Sequence, residues 1–140
     1  MISAAIASAV RSKFKSDVAD PKGLPTQYDN RMSNQPEGDG KTWCRLTVLP
    51  GNSNQATAVN STSGGQMFRS SGVFVAQLFT SLDAGDEGIL TLADDVAKAF
   101  RATTHQGVTF RTPSVSRVGR AGKWWQVNVT VPWYADSLKS

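Results

Sequence analysis

The stretch that decides the fold is residues 124–133, which read Trp-Trp-Gln-Val-Asn-Val-Thr-Val-Pro-Trp. Valine or tryptophan occupies every second position from Trp125 to Trp133, and the positions between them are mixed. Because successive side chains of a β-strand point to opposite faces of the sheet, this alternation predicts a strand with one buried face. The end of the chain is therefore predicted to be a strand whose valine-rich face packs on the core.

Strand-like alternation also occurs earlier in the chain. Residues 43–49 alternate in the same way, and Pro50 is expected to end that strand. Residues 66–82 form the longest strand-like stretch, which Ser-Ser-Gly at 70–72 is expected to break, and both faces of its middle are apolar. If helices cover one of these faces, a second subunit is a candidate for the other. Shorter strands are predicted over residues 108–111 and 114–118, with a turn over 119–122.

Two segments have helical spacing of their apolar residues. Residues 2–15 predict a first helix, and Ile89 to Phe100 predict a second, which begins near Asp86 and Glu87. The order of helix, strands, helix and strands predicts a single α+β domain over residues 1–140, with a mostly antiparallel sheet and two helices packed against it. Residues 51–65 are almost devoid of large apolar groups and predict a long polar loop, either functional or disordered.

Charge and cysteine content narrow the function classes. Fifteen Lys and Arg against eleven Asp and Glu give a net charge of +4, which permits contact with an acidic partner but falls short of the basic stripe typical of nucleic-acid binding. The single cysteine, Cys44, cannot form an internal disulfide, so a reducing cytoplasm fits. No apolar run reaches the roughly 20 residues that span a bilayer, and we expect no membrane association.

Residues that carry catalysis or bind cofactors are not grouped in any recognisable motif. The only histidine, His105, has no second histidine or cysteine partner, and it is predicted to lie in a loop. Acidic residues between Asp83 and Asp95 lack the spacing of a calcium loop, and the glycine pairs lack a phosphate-binding pattern. We therefore predict that the protein is not an enzyme, with no catalytic residue, metal or cofactor.

Several short motifs follow one another in a fixed order along the chain. They are Leu-Thr-Val-Leu-Pro at 46–50, Asn-Gln-Ala-Thr at 54–57, Arg-Ser-Ser-Gly-Val-Phe-Val-Ala-Gln-Leu-Phe at 69–79, Gly85, Leu-Ala-Asp-Asp-Val at 92–96, Phe-Arg at 100–101, and the closing strand at 125–133. Their order and spacing resemble those of the tail terminator, or tail-completion, proteins of long-tailed bacteriophages. The resemblance covers roughly residues 2–134.

The resemblance implies a structural protein of the virion. Such a protein would form a ring, typically a hexamer, at the head-proximal end of the tail tube, where it stops tube polymerisation and joins the tail to the head. Its implied partners are further copies of itself, the major tail tube protein and the head-tail connector or neck protein. DNA would pass through the lumen without sequence-specific binding, and assembly would take place in the host bacterial cytoplasm.

Other functions stay open. The basic residues and tryptophans could belong to a small nucleic-acid-binding module, in which aromatic faces stack on bases. The chain could also be another head-tail connector or minor tail protein, or an accessory or inhibitor of an enzyme. Trp125 and Trp133 are predicted to be core residues. The predicted interface residues are Trp43, Arg69, Phe79, Arg111, Arg117, Arg120, Lys123 and Trp124.

Overall fold

The computed structural model of the chain describes residues 4–28, 42–55, 66–82, 85 and 87–139. The first helix, α1, spans Ala4–Phe14, and a π-helical turn over Lys15–Ala19 carries it into the short α2, Asp20–Lys22. Gly23 then ends this helical segment in a left-handed conformation, with φ of 59°, which glycine adopts without a steric penalty. The second main helix, α3, spans Glu87–Phe100.

Seven strands form one sheet. Their bounds are β1 Thr26–Tyr28, β2 Trp43–Gln55, β3 Gln66–Ser81, β4 Thr104–His105, β5 Val108–Phe110, β6 Ser114–Ala121 and β7 Trp124–Lys139. The order across the sheet is β1-β2-β3-β7-β5-β4, and β6 pairs with β7 on the same edge as β5. Only β1 and β2 run parallel. The prediction of a single α+β domain with a mostly antiparallel sheet and two main helices is confirmed.

Both main helices pack on one face of the sheet. The core contains alternate residues of the long strands, among them Leu46, Phe74 and Val129, together with Val10 of α1 and Val96 of α3. Phe100 lies at the centre of an aromatic group, with ring centroids 4.7 Å from Phe74, 4.9 Å from Phe110 and 6.3 Å from Phe14. The valine face of β7 is part of this core, as the alternation in residues 124–133 predicts.

Strands β2, β3 and β6 differ from the sequence pattern. Strand β2 continues past Pro50 to Gln55 through an irregularity in its pairing with β3 between Pro50 and Ser53, so the prediction that Pro50 ends the strand is wrong. Strand β3 runs without a break through residues 70–72. Strand β6 extends to Ala121, so the turn is shorter than predicted. Of the predicted polar loop, residues 51–55 belong to β2 and residues 56–65 lie outside the described part.

Candidate interaction surfaces

The face of the sheet that points away from the helices is called here the outer face, and in the described part of the chain no helix packs against it. Its side chains are half-buried along the middle of the sheet. Most of these side chains are polar, but β3 adds two valines, Val73 and Val75. Their presence agrees with the sequence pattern, which has apolar residues on both faces of this strand. The outer face carries Arg45, Thr47, Val73, Val75, Gln77, Asn128 and Thr130.

An aromatic cluster lies at one end of the outer face. Trp43 of β2 stacks on Phe79 of β3 with ring centroids 4.3 Å apart, and Trp124 of β7 meets Trp43 edge-on at 5.8 Å. The three side chains are only 2%, 5% and 6% exposed, and Ala121 packs against them. The antiparallel register explains the contact, because Trp43 and Trp124 pair with Phe79 and its neighbour Ser81 on β3.

The sequence predicted that a subunit contact would cover Trp43 and Trp124, and in the structure their side chains are already buried within this chain, against each other, Phe79 and Ala121. Arg45 also lies over two of the rings, with its Cζ atom 5.6 Å from the Trp43 centroid and 5.7 Å from that of Phe79. Lys123 lies 5.7 Å from the Trp124 ring. Because the ring faces are already in contact with one another, they offer no open platform for bases to stack on.

The indole N–H groups of Trp43 and Trp124 are buried without a hydrogen-bond partner. A buried donor without an acceptor costs about 1–3 kcal/mol, so the cluster is stabilised by apolar contact and ring geometry against this penalty. Trp125 and Trp133 contact the main core, as predicted, and their indole nitrogens are also without a partner.

The opposite end of the outer face carries a polar group around Tyr134 of β7. The Arg69 guanidinium donates two hydrogen bonds to the Asp136 carboxylate, Nε to Oδ1 at 2.8 Å and Nη2 to Oδ2 at 3.1 Å. This pairing holds the pKa of Asp136 below its usual range and raises that of Arg69. The Cζ atoms of Arg69 and Arg111 both lie over the Tyr134 ring, at 4.3 and 4.7 Å from its centroid.

The structure divides the predicted basic residues between the two faces of the sheet. Residues of β6 share a face with their partners on β7, and Arg117 and Arg120 pair with Val127 and Trp125, which point to the helix side. Arg69, Arg111 and Lys123 contact rings of the outer face instead. All of these cations except Arg69, which is half-buried, are exposed. The basic residues therefore form separate sites rather than one patch.

Strand β6 is an exposed edge of the sheet. It pairs with β7 on one side, and among the described residues no strand pairs with its other side. Val115 and Val118 on this strand are 41% and 49% exposed, and the strand carries no acidic residue. An edge of this kind can accept a strand from another chain.

Groups that could support catalysis are dispersed. His105 lies in the short strand β4 rather than in a loop, half-buried and with its Nε2 atom unpartnered. Burial raises the pKa of the Cys44 thiol well above its usual range, which keeps it protonated and unreactive. In the part of the chain that the structure describes, His, Cys, Asp and Glu do not group in threes as a metal site would require.

Two residues of these surfaces were missed by the sequence reasoning. Tyr134 and Asp136 lie beyond the alternating stretch that ends at Trp133, so nothing in the pattern extended the strand to them. The signal that could have found them is the pairing of β3 with β7. Once Gly72 is opposite Trp133, residues 69 and 136 must meet across the strands.

A family model of phage tail terminator proteins matches residues 5–133. The chain belongs to the phage tail terminator family. A solved structure resembles this terminator with a TM-score of 0.62 and 17% sequence identity, over 95% of this chain and 96% of that chain. At that identity the likeness shows the fold alone. No curated protein matches the sequence.

Family membership makes the protein a structural component of a phage tail and so of the virion. The protein interacts with other components of the tail. None of the helices among the described residues is long and apolar enough to cross a bilayer.

Proposed function

We propose that this terminator is a non-enzymatic subunit of a ring, a hexamer, at the head-proximal end of the tail tube. There the ring stops tube polymerisation and joins the tail to the head or neck, and DNA passes through its lumen without sequence-specific binding. The observation that carries the proposal is the family match over residues 5–133. The number six comes from the resemblance to the family.

The geometry supports a subunit that is completed by neighbours. One face of the sheet has no helix against it in the described residues, and β6 presents an exposed edge with Val115 and Val118 on it. Adjacent copies that meet through different surfaces of the same subunit form a closed ring when the rotation between them closes. An uncovered sheet face and an exposed edge are two such surfaces.

The first test is the oligomeric state of the purified protein. Gel filtration with light scattering, followed by negative-stain microscopy, should give a closed ring, alone or after mixing with assembled tail tube. A protein that stays monomeric in both conditions contradicts the proposal. Salt-dependent binding of the free protein to DNA would favour the nucleic-acid-binding alternative.

The second test concerns Arg117 and Arg120, which lie exposed on β6 and face the helix side of the sheet. We expect them to meet an acidic surface of a neighbouring tail protein, because paired charge gives a protein contact its specificity. Arg117→Glu with Arg120→Glu should leave ring formation intact, block capping of the tube and give overlong tails in electron micrographs.

The matched control for this double variant is Arg11→Glu with Lys15→Glu, which makes the same change in net charge on the α1 side. It should give tails of normal length. Normal tail length with impaired DNA delivery in the Arg117 and Arg120 variant would place these residues in the lumen and overturn the assignment to a protein contact.

A further inference from the structure

The polar group around Tyr134 lines a groove in the outer face. The groove has a volume of about 410 Å³ and is bordered by Arg69, Arg111 and Tyr134, with Val73 and Pro132 beside them. Val73 and Pro132 are opposite each other on β3 and β7, as are Arg69 and Asp136. The groove therefore offers an apolar wall next to two guanidinium groups.

The two arginines differ in how their charge is compensated. Arg69 is held by Asp136 through two hydrogen bonds. Arg111 is exposed, and within the described residues its guanidinium contacts the Tyr134 ring without a carboxylate within 4 Å. The backbone of Arg111 is held against β7, because the Arg111 N–H donates a hydrogen bond to the carbonyl oxygen of Pro132 at 2.8 Å. Among the described residues, the side-chain donors of Arg111 are therefore directed to no acceptor.

The charges in the groove favour a single carboxylate over a polyanion. Arg69 and Asp136 cancel, which leaves one positive charge on Arg111. A nucleic acid would bring a row of phosphates to a groove that has one net positive charge, which compensates only one of them. A lone aspartate or glutamate matches both the charge and the planar, two-pronged geometry of a guanidinium.

The chain itself carries carboxylates suited to this role. Of the acidic side chains in the described residues, Asp17, Asp20, Asp95 and Asp136 form ion pairs within the chain. Asp94 and Glu87 do not, and both are exposed on α3, on the opposite side of the sheet from the groove. A groove on one face and an acid on the other allow each copy to use both at once, one with each neighbour, as a head-to-tail ring requires.

We propose that the groove around Arg111 receives an α3 carboxylate, Asp94 or its neighbour on the same face Glu87, from a second copy of this chain. Arg111 binds the carboxylate, Tyr134 holds the Arg111 guanidinium flat against the sheet, and the Arg69–Asp136 pair keeps the other wall of the groove neutral. The inference rests on the proposed ring, and it names one contact between adjacent subunits.

The test is a charge swap. Light scattering over a dilution series measures the self-association of each variant. Arg111→Glu should raise the concentration of half-assembly about tenfold or more, since it replaces an attraction by a repulsion at every interface. Asp94→Arg together with Glu87→Arg should do the same. The triple variant that combines these changes should recover most of the wild-type assembly, which loss of folding cannot explain.

Arg11→Glu, a reversal on α1 away from the groove, is the control and should assemble as wild type does. If wild-type protein forms rings and Arg111→Glu forms them equally well, the contact is refuted while the ring stands. Rings that form but fail to cap the tube would assign the groove to another tail protein, and loss of DNA binding alone would assign it to nucleic acid; both outcomes overturn the inference. A wild-type protein that never self-associates would refute the ring itself.

Discussion

Truncation of Phe79 distinguishes a side chain that this chain buries from one that a neighbour covers. Phe79 is 5% exposed and stacks on Trp43 at 4.3 Å, so Phe79→Ala removes the middle of the aromatic cluster. Truncation of a buried phenylalanine to alanine costs about 3–5 kcal/mol, and the lower end applies where the surroundings can relax into the space. The cluster lies at the sheet surface, so we expect a loss of about 3 kcal/mol in the free energy of unfolding.

That loss should lower the melting temperature by about 9 °C, taking about 3 °C per kcal/mol for a domain of this size. Urea unfolding followed by tryptophan fluorescence measures it directly, because Trp43 and Trp124 are themselves in the cluster. The measurement is repeated over a thirtyfold range of protein concentration, since association adds to apparent stability by mass action.

Val75→Ala is the matched control, on the same strand and the same face but half-exposed. It should cost less than about 1 kcal/mol. If the midpoint of Phe79→Ala equals that of wild type at low concentration while self-association weakens, Phe79 is covered by a neighbour and not by its own chain. That result would refute the reasoning and restore the interface role that the sequence suggested for this residue.

Three further predictions follow from individual contacts. Lys13 is 8% exposed, and its Nζ atom lies 2.6 Å from the Asp17 carboxylate, which is 42% exposed and has a lowered pKa because of that contact. Asp17→Asn should cost about 1 kcal/mol at neutral pH, since solvent screens a pair that is open on one side, whereas Asp20→Asn, in a pair exposed on both sides, should leave the stability unchanged. The Asp17 contribution is present above the ordinary carboxyl pKa and is lost as pH falls through the lowered value, so acid titration of stability should be flatter in Asp17→Asn. Phe100→Ala should cost about 3–5 kcal/mol by urea unfolding. Iodoacetamide should modify Cys44 only as fast as the protein opens, and a rate equal to that of a free thiol would show that Cys44 is not buried.

The periodic segments of the sequence predict the helices and strands well, because an element with one buried face has apolar residues spaced at the period of that element. Alternation found the central parts of β2, β3 and β7, and helical spacing found α3. Strand ends were misjudged where turn-forming residues occur inside strands. Proline is tolerated at position 50 because β1 pairs only with residues 44–46, so β2 has no described partner on that side and the missing N–H is not needed there.

Pro132, inside the sheet, is also tolerated because no described strand needs its missing N–H. It lies in β7 between the residues that pair with β5 and those that pair with β6, where the partner strand changes. Its carbonyl oxygen still accepts a hydrogen bond from the Arg111 N–H, which needs no donor on the proline. Local composition could not reveal this position, because it depends on which strands become neighbours.

The contacts and faces of the predicted interface residues could be found only from the sheet register. The sequence predicted Trp43, Phe79 and Trp124 as interface residues, but only the register shows that they contact one another and are buried. The sequence also grouped Arg111 with Arg117 and Arg120. Pairing with β7 puts Arg117 and Arg120 on the helix side of the sheet, whereas Arg111 contacts Tyr134 on the outer face. Residues that are close in sequence need not lie on the same face of the sheet, because successive side chains of a strand point to opposite faces.

This division of the arginines limits how a ring of these subunits could use its positive charge. Rotational symmetry repeats each residue around the axis, so a cation on the helix side and a cation on the outer face generate two different circles of charge. A single surface, whether the lumen or one neighbouring ring, can face only one of them fully. Charge reversal at Arg117 and Arg120 should therefore affect a different step of tail assembly from charge reversal at Arg111. If the Arg117/Arg120 double variant and the Arg111 variant showed one defect, with the same block and the same tail length, the two circles would serve a common partner and the separation of the faces would carry no functional meaning.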